Sequence, residues 1–278
     1  MMKIIHDKTE TRLQEIASRA RGALGFAALD LTSGERFGLN EDVGCPQASA
    51  IKVAILMEVF KQAHEGKFQL AELRRIEKPD KTGGSGVLVE LGDGTVQLSL
   101  RDLCVLMILL SDNTATNLLL DLVGMENINS TLGLLGLKQT RVRRRMMDTA
   151  AAWRGDENLS SPAEAARIME VLFKGEFVNR QICDEMLAIL KKSKPGGIKS
   201  GVPADVPVAF KPGSLSGVTT EWALVYLKDR PYVVVVMENY GLEDDATSAM
   251  REISRTLYEH FSRLARVTKH GTYVEKLK

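Results

Sequence analysis

The chain has 278 residues, 44% of them hydrophobic and 26% charged, enough for one large domain or two small ones with a proper core. Its 37 basic and 36 acidic residues nearly cancel, so no global field recruits nucleic acid or an anionic membrane surface. Three cysteines at unrelated spacings, Cys45, Cys104 and Cys183, argue against a disulfide framework or a zinc motif, and the longest apolar runs fall far short of the ~20 residues that span a bilayer.

In chain order, Asp7 with Glu10 resembles a capping box and Leu13, Ile16 and Ala17 have helical spacing, predicting an N-terminal helix. "ALGFAALDLTSGERFGLN" reads as two short strands around a Thr-Ser-Gly turn. From residue 49 to about 190 the pattern is helical, interrupted mainly by a strandlike hairpin, "GVLVELGDGTVQLSL". Helix starts are marked by Ser99 with Asp102, by Ser161 with Pro162 and Glu164, and by Asn179. After residue 200 come three strand candidates, "VPVAFKPG", "TEWALVYLK" and "PYVVVVMENY", then an amphipathic helix from about Asp244 to Arg263 and a polar tail expected to fray. Strands at both ends around a helical middle predict an α/β (α+β) fold. Residues 1–48 and 200–278 would form a sheet lobe with terminal helices and 49–199 a mainly helical lobe, with the site in the cleft between them.

Within "QASAIKVAILMEVF", Ser49 and Lys52 are three residues apart and fall on one face of a helix. A lysine among apolar groups tends to lose its proton, and a neutral amine beside a hydroxyl is a general base beside a nucleophile. Ordinary composition yields roughly one Ser-x-x-Lys by chance in such a chain, so the pair alone carries little. It is joined by "SDN" at Ser111, Asp112 and Asn113, after the apolar run "LCVLMILL". Of three Lys-x-Gly candidates, "KTG" at 81–83 precedes "SDN" and runs into a Gly-rich turn, and "KPG" at 194–196 follows a helix. Only Lys211, Pro212 and Gly213 end a strand pattern.

The order Ser-x-x-Lys, Ser-Asp-Asn, Lys-x-Gly resembles that of the serine penicillin-recognising enzymes, and nearly the whole chain is similar to class A β-lactamases. The resemblance implies a five-stranded antiparallel sheet flanked by terminal helices, with an inserted all-helical lobe. It also implies a serine hydrolase in which Ser49 attacks a β-lactam carbonyl and forms an acyl-enzyme. Lys52 would activate Ser49, and the backbone N–H groups of Ser49 and Ser214 would form the oxyanion hole. Ser111 would pass a proton to the leaving nitrogen, and Asn113 would hold the substrate amide. Lys211 would supply positive charge, with Gly213 and Ser216 completing the substrate-binding strand. The resemblance also implies a β-lactam or related small-molecule substrate and a periplasmic or secreted location, although no leader is legible in the sequence; no cofactor and a monomer are expected, while charge balance, short apolar runs and histidine spacing give no nucleic-acid partner, no membrane span and no metal.

The pattern breaks in three places. Aligning "GLKQTRVRRRMMD" on the loop that carries the family's deacylation glutamate puts Met146 at that position, and a thioether cannot be a general base. Asp148 is a candidate substitute, whereas Glu157 lies too late in the loop. Pro212 replaces a hydroxyl residue and implies an edge strand, and Thr220 falls where a carboxylate-binding arginine is expected, with Lys199 a candidate to compensate. In the loop clasp, Arg144 would face Asn158, assisted by Glu157. Losing a general base from deacylation alone costs ~100 to 10,000-fold, so the resemblance implies weak or unusual β-lactamase activity. The competing readings are a penicillin-binding D-alanyl-D-alanine peptidase or small-ester hydrolase, and a binder of β-lactams or peptidoglycan fragments without turnover. "RVRRR" reads as a solvated loop, the four histidines as surface or capping residues without metal spacing, and Trp153 and Trp222 as core or loop anchors.

Overall fold

The computed structural model describes residues 2–268 and 270–273; the last residues of the polar tail, 274–278, lie outside the described residues. Helix α1 (Met2–Ser18) leads into β1 (Ala23–Asp30) and β2 (Arg36–Leu39), joined by the expected turn with Gly34 at φ 79°. A short strand β3 (Cys45–Pro46) and a 3-10 turn (Ala48–Ile51) enter α2 (Lys52–His64). There follow β4 (Leu73–Arg75), β5 (Gln97–Ser99), α3 (Leu100–Leu109), α4 (Asn113–Val123), α5 (Met125–Leu134), α6 (Thr149–Trp153) and β6 (Leu159–Ser160). The chain continues through α7 (Pro162–Lys174), α8 (Arg180–Leu190), α9 (Gly197–Ser200), β7 (Val208–Leu215), β8 (Val218–Val225), β9 (Tyr232–Asn239) and α10 (Glu243–Leu264).

The main sheet has the order β2-β1-β9-β8-β7 and every neighbouring pair is antiparallel. The Val-rich β9 is at its centre and buried along nearly its whole length, as a β-branched run covered on both faces must be. One face packs on α1 and α10 through Leu13, Ile16, Ile253, Leu257 and Phe261. The other carries Leu29, Trp222 and Val235 into a larger cluster that continues without a break through α2, α3, α7 and α8. The strand Pro212 interrupts, β7, is the sheet edge, where a missing N–H costs no ladder bond.

The expected helix starts are present: Ser99 accepts from Asp102 N at 3.0 Å, Ser161 from Glu164 N at 3.3 Å and Asn179 from Ile182 N at 3.0 Å. Three local expectations change. Asp7 is not an N-cap, because α1 already begins at Met2. The added turn is held by tertiary contacts that no local signal encodes: His6 bonds Glu35 and stacks on Phe37, and Thr9 bonds His260. The strandlike segment 86–100 is no hairpin. Gln97–Ser99 pairs with Leu73–Arg75, while Val87 and Leu88 donate instead to the buried Asp112 carboxylate at 2.7 and 2.9 Å. Trp153 is 90% exposed and anchors nothing, in contrast to the fully buried Trp222. The three cysteines are buried free thiols, and no helix among the described residues is long and apolar enough to cross a membrane.

Candidate active site

Ser49 sits in the 3-10 turn and Lys52 opens α2, so the two are not on a regular α-helix as the spacing alone suggests. Side chains at i and i+3 eclipse on a 3-10 turn, but among the described residues the three hydrogen bonds of Lys52 go to Ser111 and Asn113 and none to Ser49. The turn is entered through Ala48, a non-glycine residue at φ 46°, and its entry is fixed by Gln47. That buried amide donates to Cys45 O at 2.8 Å and accepts from Trp222 Nε1 at 2.9 Å, while the Gln47 carbonyl accepts from Thr220 Oγ1 at 3.0 Å. Gln47 was invisible to motif reasoning, since only its burial between β3 and β8 gives it a task. On the other side β7 closes tightly on the turn. A Cβ on Gly213 would lie 2.7 Å from Ala50 N and Gln47 O and 2.8 Å from Ser49 N, all backbone, so only glycine fits.

Lys52 is fully buried and donates to Ser111 O at 2.7 Å, Ser111 Oγ at 3.0 Å and Asn113 Oδ1 at 2.9 Å. Lys211, equally buried, approaches Ser111 Oγ at 3.1 Å and donates to Pro212 O at 2.7 Å. One hydroxyl therefore stands between two amines. Burial pushes Lys52 down to about 7, against an opposing pull from Asp112. Lys211 is held well below the ordinary lysine range by burial first, then by Lys52 and Lys194, with Glu221 opposing. When one amine is neutral, the Ser111 hydroxyl can donate to it, so protons can pass between the lysines through Ser111. Ser111 holds this position at φ 54°, a strained backbone of the kind that clusters at functional sites.

The remaining motif residues are tied into the walls of the site. Asp112 caps α4 at Ala115 N, 2.9 Å, and its second oxygen holds Val87 and Leu88. Asn113 accepts from Lys52 and donates one Nδ2 proton to Gly83 O at 2.9 Å, which leaves its second Nδ2 proton for a ligand. The Gly-rich segment set aside in the sequence is thus brought to the site as the mount of "SDN", and Ser85 lines the cleft. The cleft, of about 660 Å³, is lined by Ser49, Ser111, Lys211, Gly213 and Ser214 at one end and by Lys194, Glu221 and Arg251 at the other.

Several sequence candidates lie elsewhere. Ser216 is exposed in the turn between β7 and β8, outside the cleft lining, because the strand ends at Leu215. Asp148 caps α6, accepting from Ala151 N at 2.9 Å, so its carboxylate is tied to its own helix and is absent from the cleft lining. Lys199 donates to the carbonyls of Pro203, Ala204 and Val206 at 3.3, 3.1 and 2.7 Å and does not reach the cleft; Thr220 is turned to Gln47. Met146 is 8% exposed, part of the apolar core, and clamped by Asn117, whose Oδ1 accepts from its N–H at 2.8 Å and whose Nδ2 donates to its carbonyl at 3.2 Å. The loop clasp differs from the expectation: the Arg144 side chain pairs with Glu157, Nη2 to Oε2 at 3.0 Å, while Asn158 bonds only the backbone of Arg143 and Arg144. Within "RVRRR", Arg141 caps Leu137 O and Arg145 pairs with Asp121. His6 and His260 are joined through Glu35, and among the described residues no cluster has the makings of a metal site.

Comparison with known proteins decides the family: residues 8–261 match the model of the β-lactamase enzyme family. The chain is a member of the class A β-lactamase family. It is 26% identical over 251 residues to β-lactamase SME-1 of Serratia marcescens, covering 87% of this chain and 84% of that one. It is 29% identical over 245 residues to β-lactamase AST-1 of Nocardia asteroides, covering 85% and 77%. Among solved structures, a β-lactamase of Sphaerobacter thermophilus superposes with a TM-score of 0.85 at 30% identity, covering 91% and 97%. PBP-A superposes at 0.84 with 25% identity, covering 92% and 96%, and a mutant of PBP-A was solved as an acyl-enzyme complex with penicillin G. In this family setting the fold is the β-lactamase fold and the chain belongs to a family of β-lactamase-like serine hydrolases.

Proposed function

We propose that this protein forms an acyl-enzyme at Ser49 with β-lactams and releases it slowly. The observation that carries the reading is the buried Lys52 amine, poised near neutral pH by desolvation and linked through Ser111 Oγ to a second buried amine. In the neutral form Lys52 takes the proton as Ser49 Oγ attacks the carbonyl carbon. The oxyanion is received by the backbone N–H groups of Ser49 and Ser214. As the C–N bond breaks, the nitrogen takes its proton from Ser111, which is recharged from Lys52. The tight seat of Gly213 on the 3-10 turn keeps the donors and the nucleophile in register.

Release needs an activated water. With Met146 in the apolar core and Asp148 tied to α6, neither supplies a carboxylate for that step. The likeness to PBP-A favours a second reading on the same chemistry, in which the physiological acyl donor is a peptide or ester and β-lactams are trapped.

Intact-protein mass spectrometry over time with benzylpenicillin, beside Ser49→Ala, tests the proposal. An adduct persisting for minutes or longer in the wild type and absent from the variant is expected. Rapid Ser49-dependent loss of penicillin without an adduct would overturn slow release, and neither adduct nor loss would remove β-lactams from the reading.

A further inference from the structure

Helices α1 and α10 cover the sheet face turned away from α2 and the nucleophile turn. Between them lies a crevice of about 160 Å³ whose polar lining is Lys8, Thr9 and Arg12 from α1 and Thr256, Glu259, His260 and Arg263 from α10. We infer that this crevice binds a tetrahedral oxyanion of the phosphate or sulfate type, and that His260 couples the binding to uptake of a proton. The inference is independent of the reading of Ser49.

The rim of the crevice sets three basic side chains against one carboxylate. Arg12 Nη1 meets Glu259 Oε2 at 3.1 Å, which engages one of five guanidinium N–H groups, and among the described residues the side chains of Lys8 and Arg263 have no ion pair or hydrogen bond. Two cations are therefore uncompensated, which repels a metal ion and matches a dianion. The floor lacks an acceptor. Thr256 is 4% exposed and its Oγ1 has no hydrogen-bond partner among the described residues, so a hydroxyl there bears its desolvation unrelieved until a ligand oxygen meets it. The volume admits a compact ion and excludes a ligand of penicillin size, which needs roughly 300 Å³ or more.

His260, also in the floor, has Nε2 3.2 Å from Glu35 Oε2 and Nδ1 2.9 Å from Thr9 Oγ1. Burial works against charge on Glu35, but the hydrogen bonds from His260 and His6 outweigh it and hold the carboxyl below its usual range. An ionised carboxylate only accepts, so Nε2 carries a proton in both states of the ring. In the neutral ring Nδ1 is an acceptor and engages the Thr9 hydroxyl proton. In the charged ring Nδ1 donates to Thr9 Oγ1, which frees the Thr9 proton for an ion in the crevice, and the imidazolium adds positive charge beneath that ion. The charged groups that face His260 are Glu35 in the β1–β2 turn, His6, Lys8 and Arg12 from α1, and Glu259 and Arg263 on its own helix. Behind Glu35 stands Arg230, 3.9 Å from Oε2 and paired with Asp30 of β1 at 2.6 Å.

Isothermal titration calorimetry of the full chain with sodium phosphate and with sodium sulfate, at constant ionic strength made up with chloride, reads the site; saturable binding of one ion per chain is expected. Lys8→Ala combined with Arg263→Ala, both exposed positions, should weaken it about 10-fold or more, since each removes a charge-assisted bond to the ion. Methyl phosphate, titrated alongside, assigns the source: affinity within a few-fold of phosphate supports a group carried on an ester, and a loss of about 10-fold supports the free ion. Sulfate keeps its charge between about pH 5.5 and 8, so a fall in its affinity as the pH rises reports the proton bound by the protein. By reciprocity, sulfate should raise the pH at which the His260 ring resonances titrate in NMR spectra. No saturable heat beyond the chloride baseline, unchanged affinity in the double variant, or a His260 titration that sulfate leaves in place would each overturn the inference.

Discussion

Replacing Met146 by glutamate puts the missing carboxylate at the position the family alignment assigns to it. Met146 is 8% exposed and its backbone is held at both N–H and carbonyl by Asn117, so the new side chain inherits a fixed origin. A general base contributes ~100 to 10,000-fold, or about 2.7 to 5.4 kcal/mol of barrier at 1.36 kcal/mol per tenfold. Against this, removing a buried methionine from the core loses about 1.5 to 3 kcal/mol of apolar burial. In a chain of this size that lowers Tm by about 3 to 12 °C at 2 to 4 °C per kcal/mol. The variant should therefore acylate at an unchanged rate, lose the Ser49–penicilloyl adduct at least 100-fold faster, and melt earlier. Time-resolved intact-mass measurement reads the adduct, and calorimetry reads Tm. A folded Met146→Glu protein that still acylates but holds its adduct as long as wild type would refute the placement of this loop position against the acyl carbonyl.

The acylation rate should rise tenfold per pH unit below pH 7 and level off above it, because Lys52 acts neutral and burial has brought it to about 7; stopped-flow acylation from pH 5 to 9 checks the slope. Stability carries the same sign: the unfolded lysine holds its proton between about 7 and its ordinary value while the folded one releases it, so the penalty for burying Lys52 shrinks as pH rises through that window. Gly213→Ala should reduce acylation by at least 100-fold while the fold survives, since the added methyl meets only the backbone of the nucleophile turn; a rate within a few-fold of wild type would show that β7 can retreat without cost. Asn117→Ala removes both bonds to Met146 and should destabilise by about 1 to 3 kcal/mol, with faster proteolysis in residues 140–160; unaltered urea midpoint and cleavage pattern would contradict the clamp.

Most of the fold was legible in the sequence because its signals are local. Ser99, Ser161 and Asn179 cap helices through their own side chains, and the runs that became β7, β8 and β9 carry their strand character in β-branched composition. The failures were also local in cause. Segment 86–100 alternates like a hairpin, yet its backbone found a better acceptor in Asp112, and Trp153 looked like an anchor but has nothing to pack against.

The sequence by itself determined the side chains available here: a candidate nucleophile serine, two lysines and a second serine in family order, and a thioether where the family alignment expects a carboxylate. Only the tertiary structure decided which of those groups are poised and which are not. It withdrew Lys52 and Lys211 from water around one hydroxyl, turned Lys199 and Asp148 onto nearby backbone, and carried the discarded Lys194 to the cleft wall. The reason is that basicity and reach depend on burial and on which acceptors lie within about 3 Å, and those are properties of packed elements distant in the chain.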